Sequence, residues 1–251
     1  MKILISGVCG KMGKAVESLA LSGCQGVKSV HGVDFFADGS AKCPCATSFD
    51  GANFRVDCVV DFSHHRATEF LLSFVEKHGL PVVIGTTGHT PVEREMIRRT
   101  AEKVPVYFAP NCSLGVALME RLVKEVAAFL PEAEVEILEM HHGEKADAPS
   151  GTALALAETV RSVKKGAKVV VGRSGNKKRT PGEIGVHALR LGALCGTHEV
   201  LFATPYELVT LRHEAFDRSL YAEGALAAAR FLLKKPAGLY GAGDLFSEKK
   251  T

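Results

Sequence analysis

An open α/β sheet followed by a smaller α+β domain is the fold class predicted by three observations. Over residues 1–112 short β-type runs alternate with helix-period stretches. A glycine-rich turn joins the first run to the first helix. After Ser113 the alternation gives way to a long amphipathic segment and then to closely spaced strands.

The β-type runs of the first part are residues 3–6, 29–33, 58–62, 82–84 and 106–109, and the helical patterns are 12–21, 67–77 and 92–103. Strand, helix, strand with short links predicts parallel pairing, right-handed crossovers and helices on both faces. Residues 35–53 contain Cys, Pro and Gly and read as an irregular connection. Beyond Ser113, residues 114–130 place Leu114, Leu118, Leu122, Val126 and Phe129 on one helical stripe, expected to be core. A strand at 135–138, the His-rich segment and a helix from 152 to about 163 follow, then strands at 169–171, 185–190, 199–203 and 207–212. The last three, with short turns such as Thr204-Pro205, are expected to be antiparallel neighbours. The Ala-rich stretch 220–233 reads as a helix stopped at Lys234-Lys235-Pro236. The expected domains are residues 1–112, completed by a C-terminal segment 221–251, and residues 113–220.

A net charge of +3 is too small to suggest a nucleic-acid surface, and the basic run Arg173 to Arg179 is broken by Gly175 and Asn176 without interleaved aromatics. The seven cysteines match no zinc or disulfide spacing, which predicts reduced thiols. The first apolar run is shorter than a signal-peptide core, and none approaches a membrane span. The expectation is a soluble, cytoplasmic protein with no nucleic-acid, membrane or metal partner.

Gly7-Val8-Cys9-Gly10-Lys11-Met12-Gly13 follows the first strand and opens the first helix. Glycines there allow a tight turn and bring the backbone to a pyrophosphate at a helix N-terminus. Asp34 ends the second strand 21 residues after Gly13, where an acid accepts from ribose hydroxyls. The first domain is thus read as a Rossmann-type, doubly wound parallel sheet, and the second as an α+β substrate domain with a mixed open sheet. Phe35 and Phe36 follow Asp34, with no arginine to take a 2′-phosphate. That favours NADH, while Lys11 keeps NADPH open. Gly85-Thr86-Thr87-Gly88 and Ala109-Pro110-Asn111-Cys112-Ser113 fall at C-terminal strand ends, the ligand-binding edge of such sheets.

Residues 139–153, E-M-H-H-G-E-K-A-D-A-P-S-G-T-A, concentrate two imidazoles, a lysine and a helix start. A histidine near its reference pKa of ~6.5 donates a proton at neutral pH. Lys145 suits a carboxylate, and the N–H groups after Pro149 suit an anion. Ser150 reads as an N-cap rather than a nucleophile, and Asp147 as a loop-fixing acceptor. His64-His65 reads as the lining of a helix start.

With these motifs in order, the chain resembles the dihydrodipicolinate reductases, the H-H-x-x-K-x-D-A-P-S-G-T block being the most specific. Asp61-Phe62-Ser63, residues 182–187 (G-E-I-G-V-H) and Gly238-Leu239-Tyr240 extend the match. The resemblance implies an NAD(P)H-dependent reductase acting on 4-hydroxy-tetrahydrodipicolinate, a small dicarboxylate, in the diaminopimelate route to lysine. It implies His141 as acid/base and Lys145 as second proton donor. His142, Lys145, Ser150, Gly151, Thr152 and Thr87 would hold the substrate. Gly7, Val8, Cys9, Gly10, Lys11, Met12, Asp34, Gly85, Thr86, Thr87, Ala109, Pro110, Asn111 and Cys112 would hold the cofactor. It also implies domain closure and a homotetramer built through the second domain's sheet. Departures at Phe35, Cys112 and Thr197 bear on cofactor preference, not on the reaction. The competing readings are a related dehydrogenase, opposed by the His-His-Lys block, and a silent NAD(H)-sensing protein, opposed by His141, Lys145 and Thr152 occurring together.

Overall fold

The computed structural model describes residues 1–246; residues 247–251, the end of the expected C-terminal segment, lie outside the described residues. The chain divides into two units, Met1–Leu114 with the chain from Arg218 onward, and Gly115–Asp217. In β1 (Lys2–Ser6), Ile3 and Ile5 point to one face and Leu4 to the other, and all three are fully buried. Such a strand requires cover on both sides, as parallel sheets have.

The first unit continues with α1 (Lys11–Leu21), β2 (Ser29–Val33), β3 (Cys45–Ala46), β4 (Cys58–Asp61), α2 (Thr68–His78), β5 (Val82–Ile84), α3 (Pro91–Ala101) and β6 (Pro105–Phe108). These strands are parallel in the order β6-β5-β4-β1-β2-β3. The order reverses between β1 and β4, and the crevice beyond such a switch point is where doubly wound sheets bind ligands. β3 corrects the reading of residues 35–53 as wholly irregular. Gly32 N–H donates to Pro44 O and Asp34 N–H to Ala46 O, so two residues suffice to make an edge strand.

The second unit holds α4 (Leu114–Phe129), β7 (Glu134–His141), α5 (Gly151–Val163), β8 (Lys168–Val171), β9 (Glu183–Arg190), β10 (Gly196–Ala203) and β11 (Leu208–Ala215). Its sheet has the order β11-β10-β7-β9-β8. β10 is antiparallel to β7 and β11, but β9 is parallel to both β7 and β8. The three late strands are therefore not consecutive antiparallel neighbours. The link from β9 to β10 crosses the end of β7 instead of folding back: Leu191 N–H donates to His141 O, and His142 N–H to Leu194 O.

α4 and α5 pack on one face of this sheet, over Val135, Ile137, Ile184, Val186, Val200 and Phe202. The buried face of α4 is Val116, Ala117, Met119, Val123 and Ala127. The expected core stripe is largely outward, with Leu118, Leu122 and Phe129 exposed by 45%, 38% and 85%. Both stripes are apolar, and the one containing the small residues lies closer to the strands.

The chain returns to the first unit as α6 (Ser219–Leu232) and β12 (Gly238–Tyr240), which adds a seventh strand beside β6. Gly224 permits the close approach of α6: a Cβ there would lie 1.7 Å from Cys112 O. α1 and α6 cover one face of the first sheet, α2 and α3 the other.

Candidate active site

In the first unit the turn after β1 is shaped by glycine. Gly7 has φ +79°, and a Cβ there would lie 2.7 Å from Phe62 O; at Gly13 a Cβ would lie 2.0 Å from Gly7 O. Gly10 is the N-cap of α1, and no side chain caps that helix. Cys9 N–H donates to Asp34 Oδ2 and Phe36 N–H to Oδ1, each at 3.0 Å, so both oxygens of the acid are oriented by backbone. A cavity of about 200 Å³ adjoins them, walled by Gly7, Gly10, Asp34, Phe35, Phe36 and Phe62 among others, with no lysine or arginine in its lining. A tight turn with no room for a Cβ at Gly7 or Gly13, an uncapped helix start and a fixed acid fit the pyrophosphate and ribose of a nicotinamide dinucleotide.

The remaining cofactor candidates lie at the same strand ends in different settings. Val8 and Cys112 are buried, and Cys112 Sγ points to Ala109 O at 3.8 Å, its thiol pushed up to about 12 by burial. Only their backbones can face a ligand. Thr86 Oγ1 and Ser63 Oγ each donate to the buried Asp61 at 2.6 Å, tying the Gly85–Gly88 loop to the end of β4. Thr87 and Pro110 are exposed, Ala109 is buried, and Asn111 Oδ1 accepts from Ser113 N–H at 2.9 Å. Lys11 is exposed and Met12 half-buried. His64 Nδ1 accepts from Arg66 N–H, and His65 Nδ1 lies 2.9 Å from Glu93 Oε1, so this pair helps to build a helix start.

In the second unit His141, Ser150 and Lys145 are linked through Glu139 and Arg190, Gly151 and Thr152 open α5, and His142 is half-buried. β7 runs to His141, three residues beyond the expected strand end. Alternation along it places Glu139 and His141 on the same face. Glu139 is 0% exposed, and its carboxylate meets four nitrogen atoms from three residues. Arg190 Nη1 and Nη2 each donate at 2.8 Å, Ser150 N–H donates to Oε1 at 2.9 Å, and His141 Nδ1 lies 2.5 Å from Oε2. Burial opposes ionisation of Glu139, but Arg190, His141 and Ser150 together hold its pKa below the usual value. For His141 burial dominates and lowers the pKa, against the upward pull of Glu139.

Arg190 also donates to Lys145 O and Asp147 O, fastening the loop after β7 to β9. Lys145 Nζ donates to Asp147 Oδ1 at 2.7 Å. Ser150 caps α5 by accepting from Ala153 N–H, and its Oγ lies 3.1 Å from His198 Nε2. The His198 ring meets that of His141 edge-on at 5.2 Å, and burial brings its pKa down to about 4. A Cβ on Gly196 would lie 2.9 Å from His141 Nε2, so that glycine leaves the imidazole its place. Among the described residues no three His, Cys, Asp or Glu side chains are arranged to hold a metal, and no helix is long and apolar enough to cross a membrane.

Comparison with known proteins decides the family. The model of the dihydrodipicolinate reductase N-terminus matches residues 1–112, and that of the C-terminus matches residues 115–246. The chain belongs to the dihydrodipicolinate reductase family. It is 40% identical to the 4-hydroxy-tetrahydrodipicolinate reductase of Clostridium novyi (strain NT), over 99% of both chains. It is 40% identical to that of Alkaliphilus metalliredigens (strain QYMF), over 98% of both. A solved structure of dipicolinate-bound dihydrodipicolinate reductase from Paenisporosarcina sp. TG-14 superposes with a TM-score of 0.81 at 26% identity, covering 97% of this chain and 98% of the other.

Within this dihydrodipicolinate reductase fold, sequence reasoning named neither Glu139, Arg190 and His198 nor Gly196 as parts of the site. Glu139 was visible in principle, because E-x-H on a strand puts both side chains on one face. Arg190 and His198 arrive from strands paired to β7 across 51 and 59 residues of chain, with no local signal.

Proposed function

We propose that this chain reduces 4-hydroxy-tetrahydrodipicolinate to tetrahydrodipicolinate with NADH or NADPH, in the diaminopimelate route to lysine. The observation that carries the proposal is the buried Glu139–His141 pair beside Lys145 and the start of α5, on a chain matched by the family over residues 1–112 and 115–246. A bound reduced nicotinamide supplies the hydride. Gly7 to Met12, Asp34, Gly85 to Thr87 and Ala109 to Cys112 would hold it, largely through backbone.

His141 would donate the proton that completes the reduction, with Lys145 as a second donor. Burial lowers the proton affinity of His141 in the ligand-free chain, so it is not simply near its reference value. A bound dianion would raise that affinity by Coulomb attraction and so favour the charged imidazole. Lys145 would pair with one carboxylate. The N–H groups of Gly151 and Thr152 at the start of α5, with Ser150 and His142, would receive the other.

We further propose a cytoplasmic homotetramer assembled through the face of the second sheet opposite α4 and α5, which carries Leu138 and Met140 and the exposed Leu189 and Leu208. The test of function is oxidation of reduced nicotinamide with substrate made fresh by the upstream synthase. Synthase-dependent oxidation is expected; none with either cofactor would overturn the proposal. Elution as a monomer in size-exclusion chromatography with light scattering would overturn the assembly.

A further inference from the structure

Glu139 is closed off from solvent, so it cannot meet a substrate, yet it is the most elaborately held carboxylate of the second unit. An ionised carboxylate only accepts hydrogen bonds, so the 2.5 Å contact to His141 requires the hydrogen on Nδ1. The neutral imidazole then has its lone pair on Nε2, beside Gly196. Arg190 occupies both carboxylate oxygens in a fork, and Ser150 N–H adds a donor to Oε1. With four donor atoms from three residues, Glu139 is locked in rotation and kept as an anion.

We propose that Glu139, fixed by Arg190, is a positioning residue for the reduction: it selects the Nδ1–H tautomer of His141, leaving Nε2 to carry the proton delivered to the substrate. This rests on the role proposed above for His141. The other charged or titratable groups around the imidazole do not supply this function. Asp147 is exposed and bound to Lys145. His198 from β10 is held neutral and turned to Ser150, with His213 of β11 behind it also shifted toward neutrality by burial. Lys145 and Arg190 oppose a proton on His141, and Glu139 is the anion that counters them together with the effect of burial.

The pH consequence has a definite sign. A donor must be protonated, so turnover falls as pH rises through the pKa of His141 in the substrate complex. Loss of the Glu139 charge lowers that pKa and moves the alkaline limb to lower pH. Glu139→Gln is therefore expected to lower kcat by about 100-fold near pH 8. The deficit shrinks as pH falls, because more of the weaker base is then protonated. KM for the cofactor stays within about twofold, as expected for a group acting only in the chemical step. Glu139→Asp, which keeps the charge, is expected to restore part of the rate and the position of the limb.

A wild-type kcat profile in Glu139→Gln, or a loss equal at all pH values, would overturn the proposal. A second measurement needs no variant beyond His141→Gln for assignment. In the full-length protein labelled with ¹⁵N-histidine, long-range imidazole spectra should show neutral His141 as the Nδ1–H tautomer, and an Nε2–H pattern would overturn the proposal even if Glu139→Gln fails to fold. An inactive wild type would remove the functional reading while leaving this tautomer prediction to be judged separately.

Discussion

Replacing Arg190 with Met removes the bidentate partner of a carboxylate that is 0% exposed while keeping most of the apolar stem. Breaking a buried ion pair by deleting one partner costs about 3–5 kcal/mol, because the remaining charge is left uncompensated. Two features set the expectation. Glu139 keeps its bonds from Ser150 N–H and His141, which favours the lower end. Arg190 also donates to Lys145 O and Asp147 O, and losing each such bond adds about 1 kcal/mol. Together these place the cost near 5 kcal/mol, about 3 for the pair and about 1 for each of the two bonds.

The penalty should also depend on pH. In the native protein Glu139 has a depressed pKa, so its stabilising contribution is present above the unfolded value, ~4.3, and is lost as pH falls through the folded value. Without Arg190, burial raises the Glu139 pKa, and protonation on acidification relieves the unpaired charge. The difference between wild type and Arg190→Met should therefore narrow between roughly pH 7.5 and pH 5.5. Urea unfolding followed by circular dichroism at the two pH values measures this directly. A difference below about 1 kcal/mol, or one that does not change with pH, would refute the claim that Arg190 neutralises a buried anion.

Two other expectations follow from local geometry. Asp34 is oriented by two N–H groups beside a cavity whose lining has no lysine or arginine, so a 2′-phosphate would meet a carboxylate with no cation to offset it. NADH should exceed NADPH in kcat/KM by about tenfold, and Phe35→Arg should shrink the ratio; equal use of both by wild type would contradict the assignment. Ser150→Ala removes the cap of α5 and the His198 contact, and should cost about 1–2 kcal/mol in urea unfolding; an unchanged midpoint would show that the cap contributes nothing.

The central strands of the all-parallel first sheet were legible because they are buried on both faces and read as unbroken apolar runs, as in the residues of β4 and β5. β3 escaped because its pairing rests on backbone groups of Gly32, Asp34, Pro44 and Ala46, which carry no hydropathy signal. The buried face of α4 was misread because apolar periodicity supports both stripes and only packing chooses between them. In the second unit, His141, Lys145, Ser150, Gly151 and Thr152 share fifteen residues of chain and could be named together. The carboxylate's partner Arg190 could not, because strand register at long range has no local code. The parallel placement of β9 was hidden for the same reason, although it sets Arg190 opposite His141.

The central claim is that His141 donates the proton in a hydride-transfer reduction. It is tested most directly by wild type and His141→Gln in parallel, with synthase-generated substrate, alongside NADH titration by fluorescence. The account predicts synthase-dependent cofactor oxidation by wild type, a loss of about 100-fold or more in kcat for His141→Gln, and NADH affinity within about twofold. A variant that keeps its turnover, or one that loses NADH binding along with activity, would contradict it.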